Sequence, residues 1–384
     1  MKSAISPMTS PTDVRAALRL STITQARRAV LQDRAAPVAG WIAPWIERSW
    51  QRCISLGLQP QDVVGFDVIS QQQMRRTADA NQHLVETARP ILEKLGRAIV
   101  NTHYFAVLTN ADGVVVDVSG AIDRSDRRAN NITRIGTDLS ERSVGTTAIG
   151  SALTDLQPVW LHRGEHFFSD TSHYSCAGAP LFGPNGACVG MLDLTGIDVV
   201  ERPELKHLVT QSAQRIENAL VQREAHSLTL RLNWPGTRLG SDADGLLCLD
   251  EDGWIVAANQ VARQMVPNLP TPSHASVHVS SVFGMAYELL FDALRRPDST
   301  MEVPLWTGLR LQALPIKRAR ESLPVRSGPG ADSPQRDGLP LKDIEISLIH
   351  QAVQQARGNV AEAARALGIS RATVYRKLGN PRSG

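Results

Sequence analysis

Two groups of residues have the types and spacing to do chemistry. The first is Arg371-Ala372-Thr373-Val374-Tyr375-Arg376-Lys377-Leu378. At about 100° per residue, Val374 and Leu378 share an inner side, and Ala372, Thr373 and Arg376 lie on the outer one. Arg reads guanine edges, and Thr or a small side chain meets thymine methyls in a major groove. Arg371 and Lys377 flank that face and suit phosphates. The second group is His162-Arg163-Gly164-Glu165-His166. The H-x-x-E-H order is that of a zinc hydrolase, which needs both histidines on one helix face. Gly164 interrupts any helix here and strand-like residues precede it, so the ring nitrogens do not converge and no metal site is expected. His166 is instead grouped with Trp160, Phe167, Phe168, Tyr174 and Cys176, an apolar wall with a few polar groups of the kind that lines a small-molecule cavity. Asp193 and Asp198 have no evident partner acid, and no Ser/His/Asp spacing is persuasive. No catalytic residues and no cofactor are expected.

The elements that would carry the first group are legible. Ile344, Leu348, Ile349, Ala352, Val353 and Ala356 form one helical stripe. Gly358-Asn359 ends that helix, and Asn359 can cap a short Ala-rich one over 360–367. Gly368-Ile369-Ser370 is a tight turn, and Ser370 is placed to cap the last helix. Two short helices joined by a three-residue turn with Gly make a helix-turn-helix. Ser370, Arg371, Ala372, Thr373, Tyr375, Arg376 and Lys377 are its candidate DNA-contacting residues. Charge agrees: residues 341–384 hold seven basic and three acidic side chains, a surplus of four, within a chain whose net charge is +3. A basic surplus confined to one end points to a polyanion partner. The first stripe is longer than two short helices need, so the module is expected to pair with its copy in a dimer.

The second group sits in a different kind of sequence. Residues 1–40 read as a flexible or weakly helical extension. Trp41, Ile42, Trp45, Ile46, Trp50, Cys53 and Ile54 then recur at helical spacing up to Gly57. Helices are expected over 71–84 and, opened by Pro90, over 90–100. Tyr104 to Thr109 and Val114 to Val118 flank the turn Asn110-Ala111-Asp112-Gly113 and read as a hairpin. Strands at 158–162, 176–182 and 187–194 follow, the last two joined by Pro184-Asn185-Gly186, then a helix over 203–225. A second, smaller cycle has strands at 245–249 and 254–257, a helix capped by Asn259, and two strand-like runs in 299–316. Residues 317–338 are rich in Pro, Gly, Ser and Arg and read as a linker. Hairpin connections imply antiparallel sheets with helices to one side, an α+β fold with an all-α C-terminus.

The chain has 384 residues, 42% hydrophobic and 21% charged, the balance of a globular protein of two or three domains. No apolar run is long enough to span a bilayer and no signal-peptide core opens the chain. The four cysteines form no CxxC pair, which fits a reducing cytoplasm.

Asn359, Ala363-Ala364, Leu367-Gly368-Ile369-Ser370-Arg371 and Tyr375-Arg376-Lys377-Leu378 resemble the Fis-type helix-turn-helix of bacterial enhancer-binding activators. The preceding chain resembles the sensor half of one such group, the acetoin-catabolism regulator family. The likeness rests on Ser49-Trp50-Gln51-Arg52-Cys53 with Gly57-Leu58-Gln59-Pro60, on Gly145-Thr146-Thr147-Ala148-Ile149-Gly150, on Glu165-His166-Phe167, on Cys176-Ala177-Gly178-Ala179-Pro180 and on Gly190-Met191-Leu192-Asp193-Leu194-Thr195. It implies a GAF-like antiparallel sheet with flanking helices over 41–226, a PAS-like α+β domain over 240–316, and a DNA-binding domain over 339–384. It further implies a ligand-responsive transcription regulator, not an enzyme, partnered by double-stranded DNA, a small-molecule inducer and RNA polymerase. Two departures stand out: Thr147 replaces the family's usual Asn, and Tyr174 its usual Trp. Family members also carry an AAA+ ATPase between sensor and DNA-binding domain. Only 317–338 fills that place here, and no Gly-Lys dipeptide occurs, so a GxxxxGK[ST] phosphate loop is ruled out. Two other readings remain open: a metal-dependent enzyme fused to a DNA-binding tail, and a DNA-architectural protein without inducer.

Overall fold

The structure, a computed structural model, describes residues 11–33, 40–272, 277–295 and 299–317, together with Val353 and Val360, which are helical and half-buried. The chain divides into two compact units, Met1–Ala319 and Arg320–Gly384. The expected linker and the rest of the expected helix-turn-helix lie outside the described residues.

The N-terminal stretch departs from the flexible extension expected. Helix α1 (Pro11–Arg27) runs into a π-helical turn, Arg28–Gln32. Ile23, Ala26 and Val30 recur at helical spacing and are buried. Their signal was weak because Arg and Ser interrupt it. Helix α2 (Pro44–Ser55) opens on a proline, whose missing N–H costs nothing in a first turn, and buries Ile46, Ser49, Trp50 and Cys53. Helix α3 (Gln71–Ala98) starts at a Ser70/Gln73 capping box. It is one helix where two were expected. Pro90 removes a single backbone hydrogen bond, but Leu84, Ala88, Leu92 and Leu95 form an unbroken buried stripe across it, and that packing holds the helix together.

Strands β1 (Tyr104–Asn110) and β2 (Val115–Gly120) form the expected hairpin. Asn110 Oδ1 accepts from the amides of Asp112 and Val114, and Gly113 takes the positive φ the turn requires. Short helices α4 (Arg127–Ile132), α5 (Glu141–Val144) and α6 (Ala148–Asp155) follow. Next come β3 (Val159–His162), β4 (Tyr174–Phe182) and β5 (Cys188–Ile197), then helix α7 (Leu205–Arg223). The five strands form one antiparallel sheet in the order β2-β1-β5-β4-β3. Helices cover both of its faces, not one. Leu108, Leu192 and Leu194 pack with α3 and α7 residues, whereas Val107 and Met191 pack with residues of α2 and α6. Strictly alternating side chains of a strand with two buried faces need cover on each.

The second sheet contains β6 (Leu228–Asn233), β7 (Gly245–Leu249), β8 (Ile255–Ala258), β9 (Met301–Pro304) and β10 (Arg310–Lys317), in the order β8-β7-β6-β10-β9. Helix α8 (Gln260–Met265) is capped by Asn259 as expected, and α9 (Glu288–Ala293) follows it in the chain. The central strand β6 was not anticipated, so this lobe begins before residue 240. Val221 of α7 packs with Leu246, Cys248 and Ala257, so one helix serves both sheets. Among the described residues no helix is long and apolar enough to cross a membrane.

Candidate functional site

On the α6 side of the first sheet, strand alternation brings Tyr174 and Cys176 of β4 beside Asp193 and Thr195 of β5, with Cys176 directly opposite Thr195. Gly178, on the same side, has no Cβ to hold Ala148 away; a Cβ there would lie 3.2 Å from the Ala148 methyl. The start of α6 therefore comes down onto the sheet, where Thr147 caps it by accepting from the Gly150 amide. The cavity left between them, about 30 Å³, has room for two or three waters. Its lining includes Phe66, Val107, Ile132, Leu139, Val144, Ile149, Thr147 and Thr171, together with His166, Tyr174, Cys176, Asp193 and Thr195, and contains no Lys or Arg.

Two buried polar atoms of this lining have no hydrogen-bond partner: His166 Nε2 and Asp193 Oδ1. The Nδ1 of His166 donates to the Arg163 carbonyl at 2.9 Å, which fixes the tautomer and leaves Nε2 an acceptor. Burial pulls this imidazole down to about 4, so it is neutral at pH 7. Asp193 Oδ2 accepts from the Thr195 hydroxyl. Burial pushes the Asp193 carboxyl up to about 7, where it exchanges between donor and acceptor forms. Burial also raises the Cys176 thiol well above its ordinary value, which keeps it unreactive for as long as it stays buried. The Tyr174 hydroxyl donates to the Arg128 carbonyl at 3.1 Å.

Of the six residues grouped from sequence, His166, Tyr174 and Cys176 line the cavity, and Trp160, Phe167 and Phe168 do not. Trp160 lies on the opposite side of β3, with its ring stacked on His162 and its indole donating to Glu201 at 3.5 Å. Phe167 and Phe168 are buried against the turn before α6, where a Cβ on Gly145 would meet both. Asp193, Thr195, Thr147 and Phe66 were missed. A signal existed for Asp193: it is the one charged residue of β5 and faces inward at 0% exposure. The H-x-x-E-H histidines diverge. His162 Nδ1 pairs with Ser175 Oγ at 2.8 Å, and among the described residues no three His, Cys, Asp or Glu side chains are placed to hold a metal.

The Ser49-Trp50-Gln51-Arg52-Cys53 segment fastens this region. Ser49 Oγ bonds Glu141 and Thr146, each at 2.7 Å. Arg52 grips Glu141 with two nitrogens, at 2.7 and 2.8 Å. Cys53 Sγ lies 3.5 Å from Thr146 Oγ1, and the Trp50 indole donates to the Glu165 carbonyl at 2.9 Å. The DNA-contacting candidates Ser370, Arg371, Ala372, Thr373, Tyr375, Arg376 and Lys377 lie outside the described residues.

Comparison with known proteins adds what geometry cannot. Residues 21–218 match the family model described as "MimR, N-terminal domain", and residues 340–379 match "Bacterial regulatory protein, Fis family". The acetoin catabolism regulatory protein of Cupriavidus necator is 30% identical over 293 residues, 73% of this chain and 42% of that protein. The acetoin dehydrogenase operon transcriptional activator AcoR of Bacillus subtilis is 28% identical over 58% of this chain and 37% of its own length. The propane 2-monooxygenase operon transcriptional activator MimR of Mycolicibacterium goodii shows the same identity and coverage. The chain thus spans about 40% of the length of these relatives. Among solved structures, the E. coli DhaR(N)-DhaL complex aligns with a TM-score of 0.45 at 14% identity, over 71% of this chain and 100% of that one.

Proposed function

The chain belongs to the family defined by the MimR N-terminal domain and carries a Fis-family match near its C-terminus, and from that premise we propose that it is a ligand-responsive, sequence-specific transcription regulator. In this reading residues 41–226, with α1, form a GAF-like sensor. The second sheet is a PAS-like relay, 317–338 a linker and 339–384 the DNA-binding domain. The protein acts as a cytoplasmic homodimer on the operator of a catabolic operon, recruiting or blocking RNA polymerase. It is not an enzyme and uses no ATP, consistent with the absence of any Gly-Lys dipeptide.

The observation that carries the sensing half is the pair of orphaned atoms, His166 Nε2 and Asp193 Oδ1, on two residues that line one cavity. A buried polar atom left unpaired costs about 1–3 kcal/mol, a cost that a ligand supplying the missing partner removes. With a neutral imidazole and no lining cation, the cavity suits a small uncharged molecule able to donate to His166 and pair with Asp193. Acetoin, named in two of the relatives, is a small uncharged hydroxyketone of that kind and the first compound to test. It has more non-hydrogen atoms than the two or three waters the cavity holds as it stands, so its binding requires the cavity to widen.

Calorimetry of acetoin with and without operator DNA tests the reading. A coupling of ~1–3 kcal/mol changes affinity about 5–150-fold in both directions. Equal affinities would remove the sensor from control of DNA binding. On the DNA side, Arg376→Ala is expected to cost roughly 1–3 kcal/mol on the specific site and to relax sequence preference. Lys377→Ala should weaken all sequences alike and lower the salt slope. Gel-shift titrations at two salt concentrations separate the two, and an Arg376→Ala protein that binds as tightly as the parent would show the recognition helix to be wrongly placed.

A further inference from the structure

The wall of the cavity that bears His166 is held differently from the others. Strands β4 and β5 are fixed by their own ladders. The loop bearing Phe66 is pinned by the Val68–Thr137 bridge and by backbone bonds to Gly136 and Asp138. The segment from Gly164 to Phe167, by contrast, has its successive carbonyls held by side chains from the N-terminal helices. Arg27 of α1 donates to Gly164 O at 2.8 Å, to His166 O, and to Phe167 O at 2.9 Å, while Trp50 of α2 takes the Glu165 carbonyl between them. Arg27 also lies over the Trp50 ring, 5.8 Å from its centroid. Arg19, two turns earlier on α1, pairs with the fully buried Glu165 carboxylate, which in turn accepts from the His162 amide at 2.7 Å. Ile23 lies between the two arginines against Gly164, where a Cβ would meet its methyl at 3.1 Å.

We propose that α1 is the gate of the cavity, and that Arg27 is the positioning residue that holds the His166 loop in place across it. The proposal rests on reading the cavity as the ligand site and adds how that site is reached. A backbone segment whose carbonyls are satisfied from a neighbouring helix moves when that helix moves, because the carbonyls cannot stay buried without their donors. Lifting α1 frees three of the four carbonyls at once, together with the ion pair at Glu165. The outer side of α1 adds little to resist this, since Val14 and Leu18 are exposed. The ligand enters when α1 lifts and is enclosed when Arg27 recloses on the loop.

Cys176, at the cavity floor, reports the gate without any ligand. The full-length protein is treated with iodoacetamide and each cysteine's alkylation rate is read by peptide mass. Cys248, buried in the second sheet, is the control for overall unfolding. Arg27→Met should accelerate Cys176 alkylation at least tenfold while Cys248 stays protected, and Arg27→Lys should restore part of the protection. Gly164→Ala, which wedges Ile23 from the loop and leaves every charge in place, is a second variant and should accelerate Cys176 severalfold. Unchanged Cys176 rates in both variants, or Cys248 rising in step with Cys176, would overturn the gate. Neither ligand nor operator enters this measurement, so the gate can fail while the sensing reading stands, and the sensing reading fails on its own calorimetry.

Discussion

The two faces of the first sheet are built from the same five strands and filled in opposite ways. Toward α3 and α7, the apolar cluster is Leu, Ala, Val, Ile and one Tyr, and the polar groups buried with it, Thr87, Ser175, Ser212, Glu217 and Asn218, each have a hydrogen-bond partner. Toward α2 and α6, apolar residues are interleaved with buried Thr109, Ser151, Glu165, His166 and Asp193. The orphaned polar atoms of Thr109, Ser151, His166 and Asp193 fall on that second side, where the cavity also lies. One face has the density expected of a core that supplies stability. The other forgoes contacts and hydrogen bonds, as the ligand cavity proposed above would.

Matched truncations test this contrast most strongly. Leu192→Ala on the filled face should destabilise by about 3–5 kcal/mol, since nothing nearby can collapse into the space. Leu139→Ala, on the cavity lining, should cost about 2–3 kcal/mol, because that leucine already lacks neighbours on one side. Urea denaturation of both variants decides it. Equal losses would mean the two faces are packed alike and the cavity has no energetic reality.

The filled face was also the more legible in sequence. The Asn110 to Gly113 turn and the Pro184 to Gly186 turn announce their hairpins through residues that only a turn demands. Placing the cavity residues needed more than pattern. Val159, Trp160 and Leu161 are all apolar, so a period of two gives no parity for Trp160, and nothing in the strand pattern separates it from the cavity residues it is grouped with. Phe167 and Phe168 were grouped with His166 by adjacency alone, and the turn at Gly145 that they pack against is distant in sequence. Asp193 has no partner acid to mark it in the sequence; in the fold its Oδ1 is buried and unpaired, and that is what makes it notable. Strand β6 was passed over, although Leu228, Leu230 and Leu232 alternate with Thr229 and Arg231. The basic C-terminal motif was read from sequence alone, and the Fis-family match falls on the same residues.

The second test concerns charge on the cavity face. The Asp193 carboxyl is raised from 3.8 to about 7 by burial, so folding takes up a proton between those values. The folded state then binds more protons than the unfolded one, and stability falls as pH rises through that window. From pH 5 to pH 8 the parent should lose roughly 2–3 kcal/mol more than Asp193→Asn, which does not titrate. Glu165 and Glu217, pushed up to about 7 and about 8, contribute in the same direction in both proteins and cancel in the difference. His162 and His166, pulled down to about 4, contribute in the opposite direction and cancel likewise. Parallel pH dependences in parent and variant would place Asp193 in contact with water.

The smallest effect separates an orphaned atom that serves the cavity from one that merely sits beside it. Ser151 lies on α6, fully buried, with its hydroxyl unpaired, and it does not line the cavity. Replacing it with Ala removes an unsatisfied oxygen and improves helix propensity, so Ser151→Ala should stabilise by about 0.5–1 kcal/mol. It should leave acetoin affinity unchanged, because no ligand atom reaches that hydroxyl. His166→Phe also removes an unpaired atom while keeping a buried ring, but acetoin binding should fall tenfold or more, because in the proposed site the lost nitrogen accepts from the ligand. Thermal denaturation and calorimetry on the two variants give four numbers. If Ser151→Ala weakened acetoin binding as much as His166→Phe does, orphaned polar atoms would be a property of that whole face, and the cavity would lose its claim to be the site.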